Sequence, residues 1–422
     1  MNTFILKGNI FYSTGRKECR WLENGYLACV NGICRGAFSA IPEEYKDLPV
    51  KDYGNRLLVP GFVDLHLHAP QYTFRGLGMD LELMEWLDTY TFPEESRYSD
   101  LEYARKAYSL FANDLKMGCT TRAAVFATAH TEPTWLLMDE LEKTGLITMV
   151  GRVNMDANGP DNLREKDAAY SYAETLRWLE KAGQYSRTKP ILTPRFVPSC
   201  SSKLMQSLGE LAKGRGIPVQ SHLSENFGEI SLVKELFPDS ACYAQVYEHF
   251  GLLGEHGKCI MAHCVHSSDV ERELLRERGV YIAHSPESNM NLASGVAPVS
   301  KYLDLGLKVG LATDVAGGSN ADMFRAMAHA VQASKLLWRL HDQEMKPLTF
   351  EEVFYLATLG GGSFFGNVGS FRDGDEMDVL VLDDSPIPSA MELSIPQRVE
   401  RMAYLFVPQC LKAKYVAGRQ IF

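Results

Sequence analysis

The chain has no CxxC pair, no clustered block of Lys and Arg, and no run approaching the ~18 apolar residues of a membrane span. Its nine cysteines are scattered and odd in number, which excludes the closed disulfide framework of a small secreted protein. The formal charge of −10 leaves no cationic stripe for phosphates and excludes a nucleic-acid surface. Met1 to Asn9 lacks the charged segment and following apolar stretch of a secretory signal. No internal repeat or low-complexity linker interrupts the sequence. These absences point to a reduced, cytoplasmic protein whose partners are neither nucleic acid nor membrane.

What is present is an ordinary globular composition, 45% hydrophobic, over a length that accommodates a large α/β domain and a small companion. From Leu57 onward, short apolar runs alternate with longer stretches of helical period, the signature of βαβ units. Eight such runs are legible: 57–68, 119–128, 147–156, 190–197, 218–225, 258–266, 280–288 and 308–315. Helix-like segments at 100–117, 202–213, 267–278 and 321–340 lie between them. Eight alternations over some 280 residues predict a (β/α)8 TIM barrel; a doubly wound open sheet is the structural alternative. Residues 1–56 and 366–422 read as short strands without helix partners. They predict a small β-sandwich domain made by both chain ends, flanking a barrel at 57–365.

The first barrel strand ends in Asp64-Leu65-His66-Leu67-His68. Residues two apart in a strand face the same side, so His66 and His68 point together at the C-terminal end where this fold gathers its chemistry. Alone, the pair is equally a couple of satisfied polar histidines. Three other strand exits also carry ionisable groups: His222 with Glu225, His263, and Asp314. Neutral imidazoles and a carboxylate suit zinc with one position open for water, and iron accepts the same donors. The metal's work would be to lower the pKa of water from ~15.7 toward about 7. His263 is either a further ligand or a hydrogen-bonding group beside the water.

Several blocks resemble the amidohydrolase superfamily and, within it, the guanine deaminases. These are Pro60-Gly61-Phe62-Val63-Asp64 with His66-Leu67-His68, then His68-Ala69-Pro70-Gln71-Tyr72 and Trp86-Leu87 with Tyr90-Thr91-Phe92-Pro93-Glu94. Thr193-Pro194-Arg195-Phe196, Ser221-His222-Leu223-Ser224-Glu225-Asn226 and Thr313-Asp314-Val315-Ala316-Gly317-Gly318 complete the set. The HxH pair is shared by many hydrolases; Gln71, Arg195-Phe196 and Glu225 together are far more selective. The resemblance implies one zinc held by His66, His68, His222 and Asp314, with Gln71, Arg195, Phe196 and Glu225 touching a purine base. It implies hydrolysis of guanine to xanthine and ammonia by hydroxide attack at C2, with Asp314 and Glu225 shuttling protons and His263 stabilising the tetrahedral centre. It also implies a homodimer. His284 stands where relatives often carry Cys, and reads as a core or supporting residue.

A guanidinium at Arg195 matches the 6-oxo acceptor of guanine and would reject adenine by roughly 10⁴-fold. Asp80, Glu82, Glu85 and Trp86 form either a cover over the pocket, within a lid at 70–98, or a plain amphipathic helix. Arg75 either binds substrate or anchors its loop. The rivals are other deaminases or hydrolases of the superfamily, acting on 8-oxoguanine, an adenosine-type nucleoside, cytosine or a triazine, and a barrel that has lost its chemistry. The HxE and PCxxC signature of the other zinc deaminase design is absent.

Overall fold

The computed structural model describes residues 2–422. Phe62–His68, Thr120–Phe126, Ile147–Gly151 and Thr188–Pro190 pair in chain order, every pair parallel. Val219–Leu223, Cys259–His263, Tyr281–His284 and Lys308–Leu311 do the same in a second sheet. Two short strands, Val153–Asn154 and Thr193–Pro194, pair with each other. The arrangement is a mixed α/β fold of TIM-barrel type. Strands such as Phe62–His68 and Thr120–Phe126 are buried at every residue. Their polar members are buried and paired: Asp64 accepts from Thr313 N–H and Arg122 donates to Asp378.

Helices between the strands start and stop where the chain supplies caps. Asp100, Ser201 and Ser268 accept from backbone N–H groups at the starts of Leu101–Met117, Ser202–Arg215 and Asp269–Arg278. Gly216 and Gly279 take left-handed φ values of 61° and 63° just past the last two. The first apolar run is two strands rather than one. Leu57 to Pro60 ends the strand Val50–Pro60 of another sheet, and Phe62 begins the parallel one. Gly61 lies between them, where a Cβ would come within 2.3 Å of the Thr121 side chain.

The chain ends form one seven-stranded sheet, not the expected sandwich. Its order is Arg419–Gln420, Leu411–Val416, Val379–Leu382, Val50–Pro60, Phe4–Gly15, Glu18–Val30, Ile33–Phe38. The period of two explains how a single sheet suffices. Leu6, Ile10, Leu58, Val379 and Val381 bury one face in a core of its own. Phe11, Leu57, Val59, Leu380 and Leu382 join the main core from the other. The larger fold takes the place of a second sheet. The C-terminal strands also have a helix, contrary to expectation: Ile395–Leu405, packed on Met323–Leu340. Ser394 N–H donates to Gln397 Oε1 at 3.0 Å at its start.

Two buried cations fasten the seven-stranded sheet to the parallel strands. Arg122 grips Asp378 with Nε and Nη2 at 2.8 and 3.1 Å and reaches Glu376 at 3.0 Å. Lys414 Nζ donates to the carbonyls of Leu115, Gly118 and Thr120 at 2.8 to 3.0 Å, closing the C-terminus of Leu101–Met117 as a cation does best.

Candidate active site

His66 and His68 leave the first parallel strand on one face, with His222, His263 and Asp314 arriving from later strand ends. His68 Nε2 lies 3.2 Å from both His66 Nε2 and His222 Nε2. Asp314 Oδ1 stands 3.1 Å from His66 Nε2 and 3.5 Å from His68 Nε2. Ser224, His263 and Asp314 all take left-handed φ, at 49°, 72° and 50°, a costly conformation for non-glycine residues that turns each chain inward as its strand ends. Backbone bonds hold those turns: Asp314 N–H donates to His66 O at 2.8 Å, and Cys264 N–H to Leu223 O at 2.9 Å.

The donor set fits a metal ion. Burial, then the neighbouring imidazoles, holds His68 and His222 well below the usual histidine range, and burial with His263 does so for His66. Burial thus favours the neutral form of these rings. His222 Nδ1–H donates to Arg195 O at 2.6 Å, which leaves its Nε2 lone pair facing the cluster. Lone pairs of several neutral rings aimed at one point repel unless a cation sits among them. A tetrahedral ion at 2.0–2.1 Å from its ligands separates them by roughly 3.3 Å, close to the spacings found. His66, His68 and Asp314 group their donor atoms within 4.8 Å, as do His66, His222 and His263.

A small pocket lies beside this cluster. Gln71, Arg195, Phe196, Glu225, His263 and Asp314 all line it. Glu225 accepts from Ser294 Oγ at 3.1 Å and lies 3.4 Å from His263 Nε2. Burial, and then the charge of Asp314, pushes Glu225 up to about 8. Burial likewise raises Asp314 to about 6, opposed by His263; a cation among the ligands acts against that rise. His263 Nδ1–H donates to Asn289 Oδ1 at 2.9 Å, turning Nε2 toward both carboxylates.

Not every anticipated residue meets the pocket. Arg75 donates to Tyr72 O at 2.8 Å and lies 3.8 Å over the Tyr72 ring, so it anchors its loop. His284 is buried and does not line the pocket; its backbone O accepts from Ala312. Asp80, Glu82 and Glu85 are exposed, whereas Leu83, Trp86 and Leu87 cover the pocket. The i, i+3, i+4 spacing of those three was visible in the sequence as an apolar helical face.

Other groups passed unnoticed in the sequence. Asp64 shares the alternating face of His66 and His68. It accepts from His66 N–H at 3.3 Å, Thr313 N–H at 3.1 Å and Thr313 Oγ1, tying the first strand to the last. The 64-66-68 alternation was the available signal. Glu229, whose Oε1 accepts from Glu225 N–H at 2.6 Å, follows Glu225 by one helical turn. Asn289 and Ser294 gave no signal of their own.

Residues 57–421 match the amidohydrolase family. The guanine deaminase of Dictyostelium discoideum is 37% identical over 381 residues, 88% of this chain and 84% of that one. The guanine deaminase of Homo sapiens is 39% identical over 380 residues, 87% of this chain and 83% of that protein. Among solved structures, the guanine deaminase from C. acetobutylicum with guanine bound in its active site superposes with a TM-score of 0.96. It is 42% identical, and all of each chain is covered. With a metal-ligating cluster at the strand ends and such relatives over nearly its whole length, this chain belongs to the amidohydrolase family.

Proposed function

We propose that this chain is a guanine deaminase, converting guanine and water to xanthine and ammonia. The observation that carries the reading is one pocket lined by His68, His222 and Asp314 of the cluster, a buried Glu225 and the Gln71–Arg195–Phe196 group together, in a chain similar end to end to a guanine deaminase solved with its substrate. His66, His68, His222 and Asp314 would hold one zinc ion, and iron suits the same donors. Such an ion supplies a water acidified toward neutral pH.

The residues divide the remaining work. Arg195 donates to the 6-oxo group, Gln71 meets the polar edge of the base and Phe196 packs on its face. Asp314 takes the first proton from the attacking water. Glu225, pushed up to about 8 by burial, already holds the proton that N3 receives as C2 becomes tetrahedral. It then carries the second water proton to the amine, which leaves as ammonia while N3 keeps its hydrogen, and the proton held by Asp314 passes to Glu225, restoring both groups. His263, its Nε2 3.4 Å from Glu225 Oε2, keeps its hydrogen on Nδ1 for Asn289, so its Nε2 accepts from the hydroxyl gained at C2.

The same reading treats the two four-stranded sheets as arcs of one closed barrel that begins at Phe62, not at 57, and runs to 365. It is supported by the bridge between Leu192 and Val219 and by the bonds from Asp314 N–H to His66 O and from His68 N–H to Val315 O. Residues 1–60 and 366–422 form the companion domain, because Leu57 to Pro60 completes the strand Val50–Pro60 of its sheet. A cytoplasmic homodimer is part of the proposal on family resemblance. Among the described residues no helix is long and apolar enough to cross a membrane.

The test is xanthine formation from guanine by zinc-loaded protein, beside adenine, cytosine, adenosine, a triazine and 8-oxoguanine. Guanine well ahead of the others is the expected result. Turnover of another base with guanine inert would overturn the assignments of Gln71, Arg195 and Phe196 while leaving the metal cluster standing.

A further inference from the structure

Arg195 and Gln71 are not free side chains waiting for a ligand. Arg195 Nη1 and Nη2 donate to Glu95 Oε2 and Oε1 at 2.5 and 3.1 Å. Gln71 Nε2 donates to the same Oε1 at 2.8 Å, and Gln71 Oε1 accepts from Ala316 N–H at 3.2 Å. Glu95 is 1% exposed and lies behind the pocket rather than in its lining. One buried carboxylate thus gathers both groups that reach the polar edge of the base. Arg195 also faces the Phe92 ring, with Cζ 5.2 Å from its centroid.

The fork has a consequence for recognition. A guanidinium has five N–H groups, and Glu95 occupies one on each terminal nitrogen, which fixes the plane of the remaining three. Gln71 is fixed the same way. One amide hydrogen goes to Glu95 and the carbonyl meets Ala316, so the second hydrogen has a set direction. The paired charge also leaves the pocket wall with directed donors rather than an unbalanced buried cation, which would draw anionic ligands without discrimination.

We infer that Glu95 is the positioning residue for recognition of the 6-oxo group: it holds the Arg195 fork and the Gln71 amide so that a neutral oxopurine, and not a purine lacking that oxygen, is retained. The inference rests on the proposed guanine reading. Its reach is set by geometry: Glu95 sits on the segment Phe92–Ser96, Gln71 on the turn after the first parallel strand, and Arg195 past the strand Thr193–Pro194. A substitution 100 residues away from Arg195 should therefore change what Arg195 recognises.

Two inert competitors read this directly. Hypoxanthine has the 6-oxo group and no amine to lose, and purine lacks both. The ratio of their inhibition constants reports the 6-oxo contact together with the N1 hydrogen that accompanies it. We expect the zinc-loaded wild type to favour hypoxanthine by roughly tenfold or more, the range of one charge-assisted hydrogen bond. Glu95→Gln should bring the ratio to within about threefold of that in Arg195→Ala, while the guanine KM rises and kcat stays within about threefold. Glu95→Asp, which keeps the charge one methylene further back, should give an intermediate ratio and serves if Glu95→Gln does not fold. A general packing defect would weaken both competitors together and leave the ratio unmoved. An unchanged ratio in the folded Glu95 variant, with Arg195→Ala abolishing it, overturns the inference. A wild type that neither deaminates guanine nor separates the two competitors removes the guanine reading itself, before any variant is compared.

Discussion

Replacing Glu225 by Gln isolates the proton-transfer role. The amide has nearly the size of the carboxyl and keeps an acceptor for Ser294 Oγ, 3.1 Å away in the native site, so the pocket should hold its shape. What disappears is the exchangeable proton. Positioned general acid–base groups contribute roughly 10²–10⁴-fold, and Glu225 serves two transfers, to N3 and to the amine. The kcat of Glu225→Gln should therefore fall by at least about 10²-fold, near 3 kcal/mol of barrier, with the guanine KM within a few-fold of wild type. Burial and Asp314 push Glu225 up to about 8, and a bound cation pulls it back. The acid form is thus lost as pH rises, and the wild-type rate should decline on an alkaline limb at or below about pH 8. That limb should be absent from Glu225→Gln. Stopped assays of xanthine between pH 6 and 9 measure both effects. A kcat within tenfold of wild type, or an alkaline limb that survives the substitution, refutes the role.

Arg195→Ala should raise the guanine KM at least tenfold. It should also lower the unfolding free energy by about 3–5 kcal/mol, because it leaves the buried Glu95 carboxylate unpaired; urea unfolding reads the second effect, and an unchanged midpoint contradicts the burial argument. Arg122→Met strands Asp378, itself fully buried, and should cost a similar amount by the same measurement. Lys414 is pushed by burial from its usual 10.5 down to about 7. The folded state then binds fewer protons between those values, so the penalty is complete below pH 7 and gone above about 10.5. The stability of wild type minus that of Lys414→Met should consequently climb with pH across that window, by a few kcal/mol at most, the worth of a roughly thousandfold loss of proton affinity. A flat difference would mean that the three carbonyl acceptors keep the ammonium charged throughout.

The parallel strands were legible because short runs rich in apolar residues recur between stretches of helical period, and because Asp100, Ser201, Gly216 and Gly279 punctuate the helices between them. His66 and His68 were legible for a geometric reason, the period of two in a strand. His222, His263 and Asp314 could be placed only by supposing that strand exits converge, which the structure shows they do. Glu95 was not legible. An acid in a Phe-Pro-Glu-Glu segment looks like an ordinary first-turn acid, and nothing local distinguishes it from Glu94, which instead meets Thr73 and Arg97. Its role exists only across 100 residues of chain. The single sheet at the chain ends was misread for a related reason: alternation reveals two buried faces but not which partner covers each. The helix Ile395–Leu405 carries a readable Ser394-x-x-Gln397 start.

The most direct test of the central claim is zinc titration of chelator-treated protein, with guanine turnover followed after each addition. Activity should be negligible in the metal-free protein, rise linearly, and break at one equivalent per chain; His66→Ala should neither bind the ion nor recover. Full guanine turnover by metal-free protein would contradict the account, as would recovery in His66→Ala.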